Sequence, residues 1–135
     1  MINKFSTLNY ETICKEILRN NYKILTFEEK LQSFPNFKDK FCILRHDVDR
    51  FANNSLNIAK IENNLGIKST YYFRTTKSSF NKRVIEAIKD LGHEIGYHYE
   101  DFAISSGNYD KAINRYEENL KQFKKLGIEI KTISM

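Results

Sequence analysis

The sequence predicts an α/β protein that is built from parallel βα units. From residue 41 onward, short apolar or aromatic runs of strand length alternate with longer segments that carry apolar residues at helical spacing. Three of the predicted helices are followed by a glycine, Gly66, Gly92 or Gly127, which is where helices commonly end. Clusters of ionisable residues follow two of the predicted strands, and in parallel α/β folds chemistry collects at that end of the strands.

The first forty residues are expected to form a separate helical accessory segment. Helices are predicted over residues 10–19 and 28–33, and Pro35, the only proline, marks the linker into the sheet. Residues 41–135 are expected to carry the sheet. The predicted strands are 41–44, 70–73, 94–98 and 128–133, and the predicted helices are 54–65, 81–91 and 108–126.

The length of 135 residues allows one domain with a real core, since such a chain buries about two-thirds of its unfolded surface. Four βα units are few for a closed (β/α) barrel, which takes about 250 residues. No covering helix follows the last predicted strand, so that strand leaves an open edge. We therefore expect residues 41–135 to be the front part of a larger domain, with an edge through which the chain could self-associate.

Composition argues against several classes of partner. The 22 basic and 17 acidic residues give a net charge of +5, but the basic residues are scattered and form no stripe for nucleic acid. No apolar run approaches the ~20 residues of a membrane span. Residues 1–6 lack the apolar stretch of a secretion signal, so the expected compartment is the cytoplasm. The two cysteines are far apart and predict no disulfide framework or structural zinc site.

The first ionisable cluster is His46-Asp47-Val48-Asp49, directly after the predicted strand 41–44. In an extended segment Asp47 and Asp49 point to one side, while His46 and Val48 point to the other. Two close carboxylates repel each other unless a cation lies between them or one of them keeps a proton. The pair therefore indicates either a divalent metal site or a general acid and a general base that act together.

The second cluster begins at His98, at the end of strand 94–98, and continues with Glu100 and Asp101. One imidazole with carboxylates is a common ligand set for zinc, manganese or iron. His93 has the opposite parity to His98, so we expect it at the entry of the strand, away from the site. Either cluster alone could be structural, because aspartate often caps helices and a lone histidine is usually packed. Their joint position at one end of the sheet favours a metal site.

The order and spacing of these motifs resemble those of the polysaccharide deacetylases. Residues 44–49, Leu-Arg-His-Asp-Val-Asp, are similar to the family's first motif, in the variant where a valine separates the two aspartates. Residues 92–98, Gly-His-Glu-Ile-Gly-Tyr-His, resemble its most recognisable strand, and residues 69–73 and 132–135 are similar to its second and to a later strand. The resemblance implies the front half of a distorted (β/α) barrel that is cut short at its C-terminal end.

The resemblance also implies a reaction, the hydrolysis of an N-acyl (acetyl) group on an amino sugar of a polysaccharide or glycolipid. Asp47 corresponds to the general base, and Asp49 and His98 to ligands of a divalent metal, with zinc first and manganese, cobalt or iron as further candidates. The family's second histidine falls on Phe102 here, so Asp101, or else Glu100, is expected as the third ligand. Because the family's later strands carry its general acid, a non-catalytic remnant that at most binds metal or a partner chain is the alternative.

Overall fold

The computed structural model describes residues 6–33 and 38–135, and Pro35, with the linker predicted there, lies outside these ranges. The described residues form a mixed α/β structure in which every pair of neighbouring strands is parallel. In chain order the elements are α1 (Thr7–Arg19), β1 (Lys23–Leu25), α2 (Phe27–Ser33), β2 (Phe41–Ile43), β3 (Arg45–Val48), α3 (Ala52–Asn64), β4 (Thr70–Phe73), α4 (Lys82–Asp90), β5 (Glu94–His98), α5 (Asp101–Ile104), α6 (Tyr109–Lys124) and β6 (Ile133–Ser134). The predicted parallel α/β class is confirmed.

The main sheet has the strand order β3-β4-β5-β6 and is strongly curled. In a flat sheet the two outer strands, β3 and β6, would lie about 14 Å apart, at three spacings of about 4.8 Å. Instead, Ser134 Oγ on β6 lies 3.2 Å from Asp47 Oδ1 on β3. The sheet is therefore a half-barrel whose inner face brings distant strands into contact.

The first predicted strand, 41–44, corresponds to β2, and a further strand, β3, follows it directly. β2 pairs with β1, whereas β3 pairs with β4, and the Leu44 carbonyl between them accepts from the Thr70 N–H at 3.1 Å. The segment that follows the predicted strand is thus itself a strand, and Arg45 and Asp47, which share one face of it, are bound to each other. β1 was not predicted, because a strand of three residues is too short to show a recognisable alternation of apolar and polar residues.

At the other end of the chain, the strand predicted at 128–133 was wrong over residues 128–132, because β6 consists of Ile133 and Ser134.

The two faces of the curled sheet have different roles. One face packs against α3, α4 and α6, and its buried side chains are Val48, Tyr71, Phe73, Ile95 and Tyr97. The opposite face lines the half-barrel with polar groups that include Asp47, Tyr72, Glu94, His98 and Ser134. The parity predicted for the first cluster is confirmed, because Val48 is in the helix-side core while Asp47 contacts Ser134 inside the half-barrel.

The described part of the N-terminal segment covers the amino ends of the strands. At the start of α2, the Phe27 N–H donates to Thr70 Oγ1 at 3.2 Å and the Glu28 N–H donates to Glu94 Oε2 at 3.0 Å. Thr26 and Glu29 hold this start by bonding reciprocally, side chain to backbone N–H, as a capping box. One end of the half-barrel is thereby covered by the chain itself, and the candidate site lies at the other end.

None of the helices in residues 6–33 and 38–135 is long and apolar enough to cross a membrane.

Candidate functional site

Three strand ends bring opposite charges together at the uncovered end of the half-barrel. Asp49 follows β3, Arg74 follows β4, and His98 ends β5. His98 Nε2 lies 3.3 Å from Asp49 Oδ1, and Arg74 Nη1 lies 4.0 Å from the same oxygen. The two motifs that were predicted to meet, the aspartates after the first strand and the histidine at the end of the third, are brought into contact.

Asp47 lies next to this pair on the inner face of β3. Arg45 donates to both of its carboxylate oxygens, from Nε at 3.0 Å and from Nη2 at 2.7 Å, and Ser134 Oγ donates to Oδ1. Burial alone would raise the pKa of Asp47, but the Arg45 guanidinium, the hydrogen bond from Ser134 and the electrostatic interaction with His98 outweigh it and hold the pKa below its ordinary value. The carboxylate is therefore ionised at neutral pH, as a general base requires.

His98 has one nitrogen that nothing in the described structure satisfies. Its side chain is 13% exposed, and its Nδ1 atom is buried with no hydrogen-bond partner among the described residues. Buried polar atoms in native proteins are nearly always paired, so an orphaned one calls for a water, an ion or a ligand. The Nδ1 atom of His98 is therefore available to bind a group that is not among the described residues.

The two candidates for a third metal ligand are both engaged elsewhere. Glu100 Oε2 accepts from Arg74 Nε at 2.7 Å and lies 2.5 Å from Arg74 Nη2. Asp101 is 1% exposed at the start of α5, where it accepts from the Tyr97 hydroxyl at 2.6 Å and from Asn119 Nδ2 at 2.7 Å.

Tyr97 lies on the helix side of β5, opposite to His98, so Asp101 is bound on the far side of the strand. Burial raises the pKa of the Tyr97 hydroxyl, and the hydrogen bond to the Asp101 carboxylate raises it further. Neither Glu100 nor Asp101 joins Asp49 and His98. Phe102, where the resembling family has a histidine, packs its ring 5.0 Å from that of Tyr109.

Asp49 and His98 are two side chains of metal-ligating type that meet at the strand ends. Within residues 6–33 and 38–135, no three His, Cys, Asp or Glu side chains converge to hold a metal ion. Asp49 and His98 are of the types that zinc and manganese accept, and their atoms already lie within contact distance. A cation held by these two residues would take its other ligands from water or substrate.

Three members of the site were absent from the residues predicted from the sequence. Arg45, Arg74 and Ser134 hold or orient the acidic groups. Arg74 directly follows a predicted strand, so the rule that selected Asp49 would have found it. Arg45 shares the parity of Asp47 two residues away, which places both side chains on one face of a strand.

The other two histidines belong to a buried network on the helix side. Glu62 on α3, which is completely buried, accepts from the Tyr10, Tyr71 and Ser69 hydroxyls, and its Oε1 lies 2.7 Å from His46 Nε2. Burial alone would raise the pKa of Glu62, but His46 and the tyrosine hydroxyls outweigh it and the pKa is lowered. His46 is therefore held behind the sheet, away from Asp49.

His93 is a neutral structural histidine. Its Nδ1 accepts from the Ser69 N–H at 3.1 Å, so the proton is on Nε2, which donates to the Ala59 carbonyl at 3.0 Å. Burial lowers its pKa, in agreement with this tautomer. The prediction that His93 lies away from the site is confirmed.

A scan of the chain against models of protein families found no match, and searches of curated proteins and of solved structures found none either.

Proposed function

We propose that this chain is a metal-dependent hydrolase that removes an N-acyl group, with acetyl first among the candidates, from an amino sugar. The observation that carries the proposal is the contact of 3.3 Å between Asp49 Oδ1 and His98 Nε2, with the ionised Asp47 beside it. The order of the motifs, which resembles that of the polysaccharide deacetylases, supports the choice of an N-acylated sugar as substrate.

In this proposal Asp49 and His98 hold the cation, with zinc first among the candidates. When bound, such a cation polarises the amide carbonyl and makes water more acidic. Asp47 accepts the proton of the attacking water, and the same proton can then pass to the leaving amine. Arg45 keeps Asp47 ionised and oriented by its two hydrogen bonds, and Arg74 Nη1 lies 4.0 Å from Asp49 Oδ1.

The test is the release of acetate from chitotetraose, or of formate from N-formylated amino sugars, by the full chain with zinc, manganese or cobalt. Asp47→Asn, Asp49→Asn and His98→Gln should each lower the rate by about a hundredfold or more, the scale of a lost acid–base group. Asp90→Asn, which changes an exposed carboxylate at the end of α4, is the matched control and should keep full activity. Activity that survives chelation of the metal, or that survives all three site variants, would overturn the proposal.

A second candidate is a non-catalytic domain that binds a metal or a partner chain. One observation that favours it is that Tyr97 and Asn119 bind Asp101, which leaves the site without its expected third ligand. Another is that Ile133, on the outer strand β6, is 46% exposed and could contact a partner chain. It predicts zinc binding that requires Asp49 and His98, with no acyl release under any of the three metals. If β6 mediates self-association, Ile133→Lys should convert an associated form to monomer in sedimentation velocity.

A further inference from the structure

We propose that a groove beside the Asp49–His98 pair binds a negatively charged group of the saccharide substrate. The basic groove, as we name it, is lined by Arg50, Phe51, Asn54, Lys77, Ser78 and Asn81 and has a volume of about 540 Å³. That volume is in the range of small-molecule sites. The inference rests on the proposed function, because it assigns the part of the same substrate that lies next to the cleaved N-acyl sugar.

Hydrogen bonds connect one wall of the basic groove to the strand end that carries Asp49. Ser78 Oγ donates to the Asp49 carbonyl at 3.3 Å, and the Ser79 hydroxyl donates to the Val48 carbonyl. These bonds tie the loop after β4, which forms one wall of the groove, to the end of β3, which carries the site. A sugar unit in the groove would therefore adjoin the unit that contacts Asp49.

The charge of the basic groove is uncompensated. Arg50 and Lys77 are both exposed, and in the described part of the chain neither forms an ion pair. No aspartate or glutamate side chain is among those lining the groove. Two unpaired cations in a concave surface attract an anion, and they disfavour a neutral or cationic occupant.

An aromatic ring forms the rim of the groove. Phe51 is 69% exposed and has φ +56°, a left-handed conformation that is rare for a bulky residue. The guanidinium of Arg50 lies 5.8 Å from the ring centre. Binding pockets typically combine such an apolar surface with a few polar groups, here the amide of Asn54 and the Nδ2 group of Asn81, whose Oδ1 caps α4. This pairing of a flat ring with cations fits a sugar that carries a carboxylate or a phosphate.

The test compares three probes by calorimetric titration of the full chain. Hyaluronan tetrasaccharide carries N-acetylated sugars and carboxylates, UDP-N-acetylglucosamine carries an N-acetylated sugar and phosphates, and chitotetraose is neutral. One of the anionic probes should bind about tenfold more tightly than chitotetraose at low salt, the equivalent of one good charge interaction. Which of the two does so identifies the anion as carboxylate or phosphate.

Substitutions in the groove test whether it causes the preference for an anionic probe. Arg50→Gln and Lys77→Gln should each remove most of the preference for the anion, while Lys60→Gln, an exposed lysine farther along α3, should leave it unchanged. Equal affinity for all three probes, or a preference that survives both groove variants, would overturn the inference. Acetate release from chitotetraose without any anion preference would reject the groove and leave the proposed function standing. An anion preference that is lost in the groove variants, without acyl release from any probe, would reject the hydrolase and keep the groove.

Discussion

Ser134 Oγ donates a hydrogen bond to Asp47 Oδ1, and this contact joins side chains of the two outer strands of the main sheet. A second link runs in parallel, since the Tyr72 hydroxyl on β4 donates to Thr132 Oγ1 at 3.0 Å across β5. The Tyr72 ring passes over Gly96, the residue of β5 that has no side chain. The curl that forms the candidate site therefore depends on the space left at that position.

Gly96→Ala should destabilise the fold. An added Cβ would lie 2.3 Å from Tyr72 Cε1 and 3.1 Å from the Thr132 carbonyl oxygen, and the Tyr72 ring is already held by its bond to Thr132. We expect a loss of about 2 kcal/mol in the free energy of unfolding, the usual cost of overpacking. Denaturant titration measures it. In a Tyr72→Leu background the same change should cost far less, and an equal cost in both backgrounds would contradict the explanation.

Glu62→Gln should be among the most destabilising single changes in the chain. The carboxylate accepts from the hydroxyls of Tyr10, Tyr71 and Ser69, and an amide NH₂ would oppose at least one of these donors. Breaking a buried charged network typically costs about 3–5 kcal/mol. Glu16→Gln, which removes an exposed pair with Arg19, is the control and should cost less than about 0.5 kcal/mol. Similar stabilities of the two variants in thermal or denaturant unfolding would show that the network is not structural.

Stability should fall as the pH drops below about 6.5, the ordinary pKa of histidine. Burial lowers the pKa of His93 in the folded chain, so in this window the unfolded chain takes up the proton and the folded chain does not. The His93 contribution is complete above that pH and is lost as the pH falls toward the folded-state pKa. The free energy of unfolding from pH 7.5 to 5.5 should have a smaller slope in His93→Gln than in the natural chain. Identical slopes would exclude His93 as the cause.

Phe51→Gly should unfold at higher denaturant than Phe51→Ala. Both changes remove the exposed ring, but only glycine adopts φ +56° without a steric penalty, so the difference should be about 1 kcal/mol. Both variants should also bind the saccharide probes more weakly, because the rim of the basic groove is gone. If the Phe51→Ala variant is as stable as the Phe51→Gly variant, the left-handed conformation at position 51 does not destabilise the fold.

Local rules predicted what depends on strand geometry. The fixed side-chain period of a strand separated Asp47 from His46, and parallel strands place their carboxyl ends together, which brought Asp49 to His98. The helices α3, α4 and α6 also ended close to the expected glycines, because those glycines adopt the positive φ that follows a helix end. These relationships need only the pattern of neighbouring residues.

Contacts between distant elements could not be predicted in the same way. Asp101 was expected as a third ligand beside His98, but it is bound by Asn119 instead, and that contact depends on how α6 packs against β5. Likewise, no local pattern indicates that Tyr10 on α1 meets Glu62 on α3. The passage of the chain from one sheet to the other at Leu44 also depends on a partner, β1, whose three residues have no recognisable periodicity.

The central claim is that Asp49 and His98 share one divalent cation, and competition with a chromophoric zinc chelator tests it directly. The folded chain should take up one zinc ion, and both Asp49→Asn and His98→Gln should weaken the binding by about tenfold or more, while Asp90→Asn should not. Circular dichroism of each variant confirms that it is folded. Zinc uptake that is the same in all four proteins, or no uptake by the natural chain, would contradict the account.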